Sequence, residues 1–303
     1  MEILNHGLRL LAVTCLALAA CSPEATESPI GDQELEDEST SSVPTDERDI
    51  GRGSGTGDLS GTWAFIHENS ACMDFITIDE VLSHTYYIVE IEQDGRRVWE
   101  TRRVCSTDIS PTVGLRAIVP RETLESVTFP VVDHGIVSDV AAGGSYSSPT
   151  EILLWGVELD DPVDEPLPTS AEDPRVRDLN GDGNPGVTFR VEASTCERYI
   201  VQRTVSRYYG TFTTPNLIEG FSSTSTETKT MGSSQRICGV SIDLIPNDRH
   251  SRFRMVRIDG QGGSIDLDLD GDGTITCDEL NSRREILWTP REPDHTNCGR
   301  RSR

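Results

Sequence analysis

Lysine is almost missing from this chain: Lys229 is the only one. That removes Schiff-base lysine chemistry almost completely. Positive charge is scarce altogether, with 27 Lys and Arg against 51 Asp and Glu and a formal net charge of -24. An anionic surface of that size repels nucleic acid and anionic membranes and favours cations as partners. The motifs of several enzyme classes are absent too: there is no H-E-x-x-H, no G-x-S-x-G and no G-x-x-x-x-G-K-[ST]. Gly143-Gly144-Ser145 lacks the glycine that would complete a nucleophile turn. No CxxC pair or Cys/His cluster suggests zinc. His67, His84, His134, His250 and His295 have no sequence neighbours that suggest a ligand set, and they read as strand or surface residues.

The chain does carry an apolar segment, Leu8 to Ala20 (LRLLAVTCLALAA), too short for a comfortable membrane span and ending in small residues, as secretory signals do. Leu18-Ala19-Ala20-Cys21 resembles the lipobox of bacterial lipoproteins. The resemblance implies that Cys21 becomes the first mature residue and is acylated, anchoring the protein to the bilayer. Ser22, in place of Asp, implies transfer to the outer membrane or cell surface. Residues 22–57 are rich in Glu, Asp, Ser, Thr, Pro and Gly and have too little apolar surface to offset the entropy of ordering them. The division expected is a signal peptide at 1–20, an acidic disordered tether at 21–58, a β domain at 59–259, and a loop, helix and tail at 260–303.

Cys15 falls in the signal and Cys21 takes the lipid. Cys72, Cys105, Cys196, Cys238, Cys277 and Cys298 then form an even set in an exported chain, and disulfides are the expected use, with the connectivity open.

From Ser60 onward the pattern is that of short strands. Tyr86 to Ile91 (YYIVEI) runs into a turn at Gln93-Asp94-Gly95 and returns as Arg97 to Cys105, which alternates Val98, Glu100 and Arg102 against Trp99, Thr101 and Arg103. Val187 to Ala193, Arg198 to Tyr209, Arg236 to Leu244 and Arg252 to Ile258 read as further strands, and Ser222 to Thr230 as a solvated strand or a loop. No long helical period interrupts them. The fold class expected is mainly β, an antiparallel barrel or sandwich, with a short C-terminal helix. Gly61-Thr62-Trp63 resembles the G-x-W that begins the first strand of lipocalin-like barrels, and equally fits a Trp plugging the end of any β core. A faint echo between Arg102–Ser106 and Gln235–Gly239 leaves open two related halves.

Two loops carry chemistry. Asp268 to Glu279 (DLDGDGTITCDE) resembles the EF-hand calcium loop. Asp268, Asp270 and Asp272 stand at positions one, three and five, Gly273 at the sharp turn, Thr274 at the backbone-carbonyl position, Thr276 at nine, and Glu279 at twelve as the bidentate ligand. A register beginning at Asp266 puts Cys277 at twelve and fails. The segment before the loop reads as extended, and the segment after it as a helix stopped by Pro290. Asp178 to Phe189 (DLNGDGNPGVTF) matches only the front half, with Asp178, Asn180, Asp182 and Asn184 as candidate ligands. Pro185 at eight and Phe189 at twelve depart from the pattern, so a remote carboxylate, Asp173 or Glu192, would have to complete a site. Otherwise the segment is an Asx-rich turn.

The function expected is that of an exported, lipid-anchored calcium-binding protein of the cell envelope, acting as a non-enzymatic binding or structural module. One alternative is a lipocalin-like carrier of an apolar ligand, with a pocket lined by Trp63, Trp99 and Tyr87. Another is a hydrolase with structural calcium, which needs a cleft collecting His and carboxylates. The expected partners are calcium and the bilayer, without nucleic acid, and any further partner is open.

Overall fold

The computed structural model describes residues 57–74, 78–110, 117–191, 196–239 and 244–299. The lipobox, Cys21, nearly all of the tether and Glu192 lie outside them.

Strands dominate because β-branched and aromatic residues alternate with polar ones across most of the chain. They are β1 (Gly61–Asp74), β2 (Ile78–Asp94), β3 (Arg97–Ile109), β4 (Ala117–Ile118), β5 (Gly135–Val137), β6 (Ser145–Ser147), β7 (Glu151–Trp155), β8 (Val187–Val191), β9 (Glu197–Thr214), β10 (Leu217–Ser233), β11 (Leu244–Pro246) and β12 (Arg252–Arg257). The helices are α1 (Arg121–Glu125) and α2 (Cys277–Leu287). All pairings are antiparallel. They run β1–β2–β3–β5–β6–β9–β10–β12 and return to β1, so the ring closes and the sheet is a barrel with strands in chain order. Closure removes the exposed edges that an open sheet would present. Beyond β6, the free edge of β9 pairs in turn with β7 and β8, and β8 carries β4.

Inside, a ring of this strand number leaves room for little but side chains. Trp63, Phe65, Tyr87, Val89, Tyr208, Phe212, Phe253 and Met255 fill it. Gly210 and Gly220 face each other across β9 and β10, and a Cβ on either would stand under 3 Å from the Phe253 ring. The end near Gly61 is sealed. Trp63 donates its indole N–H to the Leu59 carbonyl at 3.0 Å, and the Arg257 guanidinium lies 5.8 Å from the ring centre. Arg257 also donates to the backbone of Asp58 and Ser60 and pairs with Asp259 at 2.9 Å.

The outer face of β1 and β2 is covered rather than solvated. Leu280 and Leu287 of α2 pack with Leu267 on Ala64, Ile66, Tyr86 and Ile88. Beyond α2, residues 288–298 lie over the other end of the same face. There Arg291 reaches Glu68 at 2.8 Å and Glu80 at 2.7 Å. Glu68 also accepts from His84 and Arg252, and Glu80 from Ser70, the Asp294 N–H and Asn297. Burial by itself would raise both carboxyls, but these donors outweigh it and hold each at about 2. A depressed folded value means that the stabilisation is present above the ordinary value of 4.5 and lost as pH falls towards 2. Thermal midpoints measured down that window should fall steeply for the native chain and less for Arg291→Met. Equal slopes would remove the clamp from the account.

Three disulfides join all the expected cysteines: Cys72–Cys298, Cys105–Cys277 and Cys196–Cys238, with Cα separations of 5.5, 5.0 and 5.4 Å. One of the strand assignments needs correction, and the segment left open between strand and loop is a strand. Arg236–Gly239 is a 3-10 turn, not the start of a strand, and this also ends the idea of two related halves, since Arg102–Ser106 lies in β3. Ser222 to Thr230 is strand throughout, and its hydroxyls at Ser222 and Thr224 are buried rather than solvated.

Candidate metal centre

Between the end of β12 at Arg257 and the loop of residues 268–279 the chain makes a short turn and comes back alongside Ile258. Ile258 and Leu267 are both buried, and the Leu267 N–H donates to the Ile258 carbonyl at 2.9 Å beside a bridge between Asp259 and Asp266. The approach is therefore extended, as the sequence implied. Within the loop the Asp268 carboxylate gathers three backbone N–H groups, from Gly271 at 2.9 Å, Asp272 at 3.0 Å and Gly273 at 2.9 Å. Asp272 turns one oxygen to the Thr274 N–H at 2.7 Å. Gly271 and Gly273 sit at φ 74° and 86°, a left-handed conformation that disfavours side chains even though the space around them is open.

The loop leaves through α2. Thr276 is its N-cap, and Glu279 completes the capping box by accepting from the Thr276 N–H at 2.8 Å. The other Glu279 oxygen accepts from the Leu269 N–H at 2.7 Å, so this one carboxylate ties both ends of the loop together. The hydrogen bonds from Thr276, with smaller help from Leu269 and Asp270, hold the Glu279 carboxyl below its ordinary value against the opposing effect of burial. As a result Asp268, Asp270 and Glu279 each present an oxygen within 4.8 Å of the other two. Among the described residues no other group of three His, Cys, Asp or Glu side chains converges in this way. Asp272, Thr274 and Thr276 are exposed on the same loop, with Asp272 outside that converging trio. Such a cluster of hard oxygens, anionic and close together, suits a calcium-sized cation.

The loop at Asp178 has the same hydrogen-bond pattern. Asp178 accepts from the Asp182 N–H at 3.1 Å and the Gly183 N–H at 2.8 Å, and Asp182 from the Asn184 N–H at 2.9 Å. Gly181 and Gly183 sit at φ 71° and 83°. Among the described residues it lacks a closing acid, and Glu192 lies outside them. Phe189 packs on Trp155 with ring centres 5.1 Å apart, and Asp173 is held by both the Nε and Nη2 of Arg175. Asn180 keeps one buried oxygen without a hydrogen-bond partner. The front halves of the two loops are thus alike, but among the described residues only the loop at Asp268 brings three carboxylates together.

The barrel interior holds a polar network that sequence reasoning did not foresee. Arg102 is 5 % exposed and pairs with Glu100 at 2.5 Å and Glu151 at 2.6 Å, which are 2 % and 3 % exposed. Its guanidinium lies 4.3 Å from the Phe65 ring centre and 4.9 Å from that of Tyr208. The Tyr146 hydroxyl donates to Glu100 and the Tyr208 hydroxyl to Glu151. Further along, His67 Nε2 meets the Ser222 hydroxyl at 2.8 Å, and its Nδ1 stands 3.4 Å from the Tyr208 hydroxyl. A Ser–His pair invites a hydrolytic reading. However, burial and the Arg102 charge hold the His67 imidazole down at about 3. A base so weak does not take a serine proton at neutral pH. Both side chains are also buried, and the cavity beside Arg102 and Glu151 is only about 30 Å³, close to the volume of one water molecule.

The pocket imagined for an apolar ligand is not formed by its three aromatics. Trp63 and Tyr87 are packed in the core, whereas Trp99 is 36 % exposed on the outer side of β3 and tilts against His134. The alternation in Arg97 to Cys105 was the signal for this, since it put Val98, Glu100 and Arg102 on one face and Trp99 on the other. Comparison with family models, with curated proteins and with solved structures finds no match for this chain.

Proposed function

We propose that this protein is an exported, lipid-anchored calcium-binding module in which the ion stabilises the C-terminal segment against a β barrel. The observation that carries the metal part is the convergence of Asp268, Asp270 and Glu279 in a loop with the D-x-D-x-D-G…E spacing. Asp272, the Thr274 carbonyl and Thr276, directly or through water, complete the oxygen set in this reading. The attraction between the cation and the converging carboxylates is the source of its affinity, and it offsets their mutual repulsion. Export and anchoring rest on the apolar segment before Cys21 and on the lipobox resemblance. The disulfides accord with an oxidising compartment.

The carrier reading draws on the closed ring of strands in chain order and on Gly61-Thr62-Trp63, an architecture shared with lipocalins. The packing around Trp63 and Tyr87 speaks against it. The hydrolase reading has His67 and Glu151 in one network, but His67 is buried with its imidazole held well below its ordinary value, and the cavity beside Glu151 is small.

Calorimetric titration of calcium into chelator-stripped full-length protein tests the proposal. Saturable heat, together with a melting temperature that rises with calcium, is expected, and Asp268→Ala should abolish both. Residual binding in that variant would direct attention to Asp178, Asn180 and Asp182. No heat in the native chain would leave both loops as acidic turns.

A further inference from the structure

The two halves of the loop at Asp268 hang from different strands of the barrel. Asp268 follows Leu267 and Asp266, which are fastened to the end of β12. Glu279 belongs to α2, which is fastened to β3. Cys277 is bonded to Cys105, Asn281 accepts from the Ser106 hydroxyl at 2.6 Å, and Arg284 pairs with Asp108 at 2.7 Å. Arg103 adds a hydrogen bond to the Ile275 carbonyl at 3.0 Å, inside the loop itself. Between β12 and β3 in the barrel stand β1 and β2. The distance between the two halves therefore depends on how firmly the first turn of α2 is held to β3, along with the packing of Leu280 and Leu287 on Leu267 and the hydrogen bond from Leu269 to Glu279. The covalent member of that attachment is also a loop residue, Cys277, two positions before Glu279 and directly after the cap Thr276.

We infer that the Cys105–Cys277 disulfide regulates the calcium site, so that the oxidised protein binds calcium more tightly than the protein with this one bridge reduced. The inference rests on the calcium reading above. With the bridge closed, Glu279 is held where its carboxylate meets Asp268 and Asp270. With the bridge open, α2 still rests on β1 and β2 through Leu280 and Leu287, but its first turn is held to β3 only by polar contacts, and the ion must supply more of the ordering of the second half of the loop. The reductant required is a dithiol. One thiolate attacks a sulfur of the bridge and forms a mixed disulfide, and its second thiol resolves this. The products are two cysteine thiols on the protein and the oxidised dithiol. Linkage makes the effect reciprocal, because a bridge that strengthens calcium binding is protected from reduction by calcium to the same factor.

The test uses calcium alone as the probe and the full-length chain. Calorimetry should give Cys105→Ser/Cys277→Ser an affinity about tenfold weaker than the native chain, within the ordinary range of coupling between two sites. Cys196→Ser/Cys238→Ser, which opens the bridge between β9 and the turn after β10, should bind as the native chain does. Equal affinity in the native chain and Cys105→Ser/Cys277→Ser overturns the coupling and leaves the calcium site standing. No binding in any of the three removes the calcium reading, and the coupling with it. A second readout needs no variant. The native chain is exposed to graded dithiothreitol with excess calcium or with chelator, and alkylation of each cysteine is followed by mass spectrometry. Calcium should raise the dithiothreitol needed to open Cys105–Cys277 about tenfold and leave Cys196–Cys238 unmoved. Midpoints for Cys105–Cys277 that do not respond to calcium overturn the inference even if the serine variant fails to fold.

Discussion

Glu279→Gln is expected to weaken calcium binding about a hundredfold, equivalent to about 2.8 kcal/mol, while leaving α2 in place. The substitution separates two duties of one side chain. As the N3 residue of a capping box, position 279 needs only an acceptor for the Thr276 N–H, and glutamine supplies one. As the closing member of the trio with Asp268 and Asp270, it needs a second oxygen and a negative charge, and glutamine supplies neither. Glu279→Ala should lose both duties, adding a loss of roughly 1 kcal/mol in stability that is visible without calcium. Calorimetry on the stripped proteins reads the first effect, and chelator-treated melting curves read the second. Native-like affinity in Glu279→Gln would take the closing acid, and the EF-hand-type reading, out of this loop.

Arg102→Met should be among the most damaging single substitutions in the barrel, lowering stability by about 3–5 kcal/mol. Methionine fills the space between Phe65 and Tyr208 but leaves Glu100 and Glu151 buried without their counter-ion. For a chain of this size the melting midpoint would fall by roughly 10 °C. The pH dependence gives the cause. Burial already pushes the Glu151 carboxyl up, against the pull of Arg102 and the Tyr208 hydroxyl. A folded value raised above the unfolded one means that the folded state holds the proton more tightly, so stability drops as pH rises from the ordinary value of 4.5 through the raised one. The deficit of Arg102→Met should therefore shrink in acid, and Glu100→Gln/Glu151→Gln added to it should restore much of the loss at neutral pH. A deficit that ignores both would show that packing, not charge, is what Arg102 contributes.

These two sites differ in how far they could be read from sequence. The shape of the loop at Asp268 was legible down to individual residues, because its acidic residues stand close together at fixed intervals and that spacing is itself the geometry. Gly271, Gly273 and the capping pair Thr276 and Glu279 all act within one short stretch. The β class was legible for the same local reason, through alternation in β2 and β3. Barrel closure was not, since it depends on β1 meeting β12 and on β9 turning its free edge to β6, pairings between residues far apart in the chain. Nor was the Arg102 network, whose members come from β3, β6, β7 and β9. His67 and His84 read as unremarkable strand histidines because the partners that bury them, Ser222 and Glu68, are set by register rather than by neighbouring sequence. The front half of the loop at Asp178 was legible, whereas the absence of a closing acid beside it among the described residues became clear only when Asp173 was found engaged with Arg175.

The long-range bridges also bear on how the molecule would survive outside a cell, where proteases are abundant. Cys72–Cys298 spans 226 residues and Cys105–Cys277 spans 172. A single backbone cut anywhere between Cys105 and Cys277 falls inside both spans, so the two fragments stay covalently joined at least twice, and three times if the cut lies between Cys196 and Cys238. They part only when every bridge that spans the cut is opened. The strands contributed by each fragment remain paired in one ring, which makes the protein's integrity a property of its cross-links as much as of an unbroken main chain.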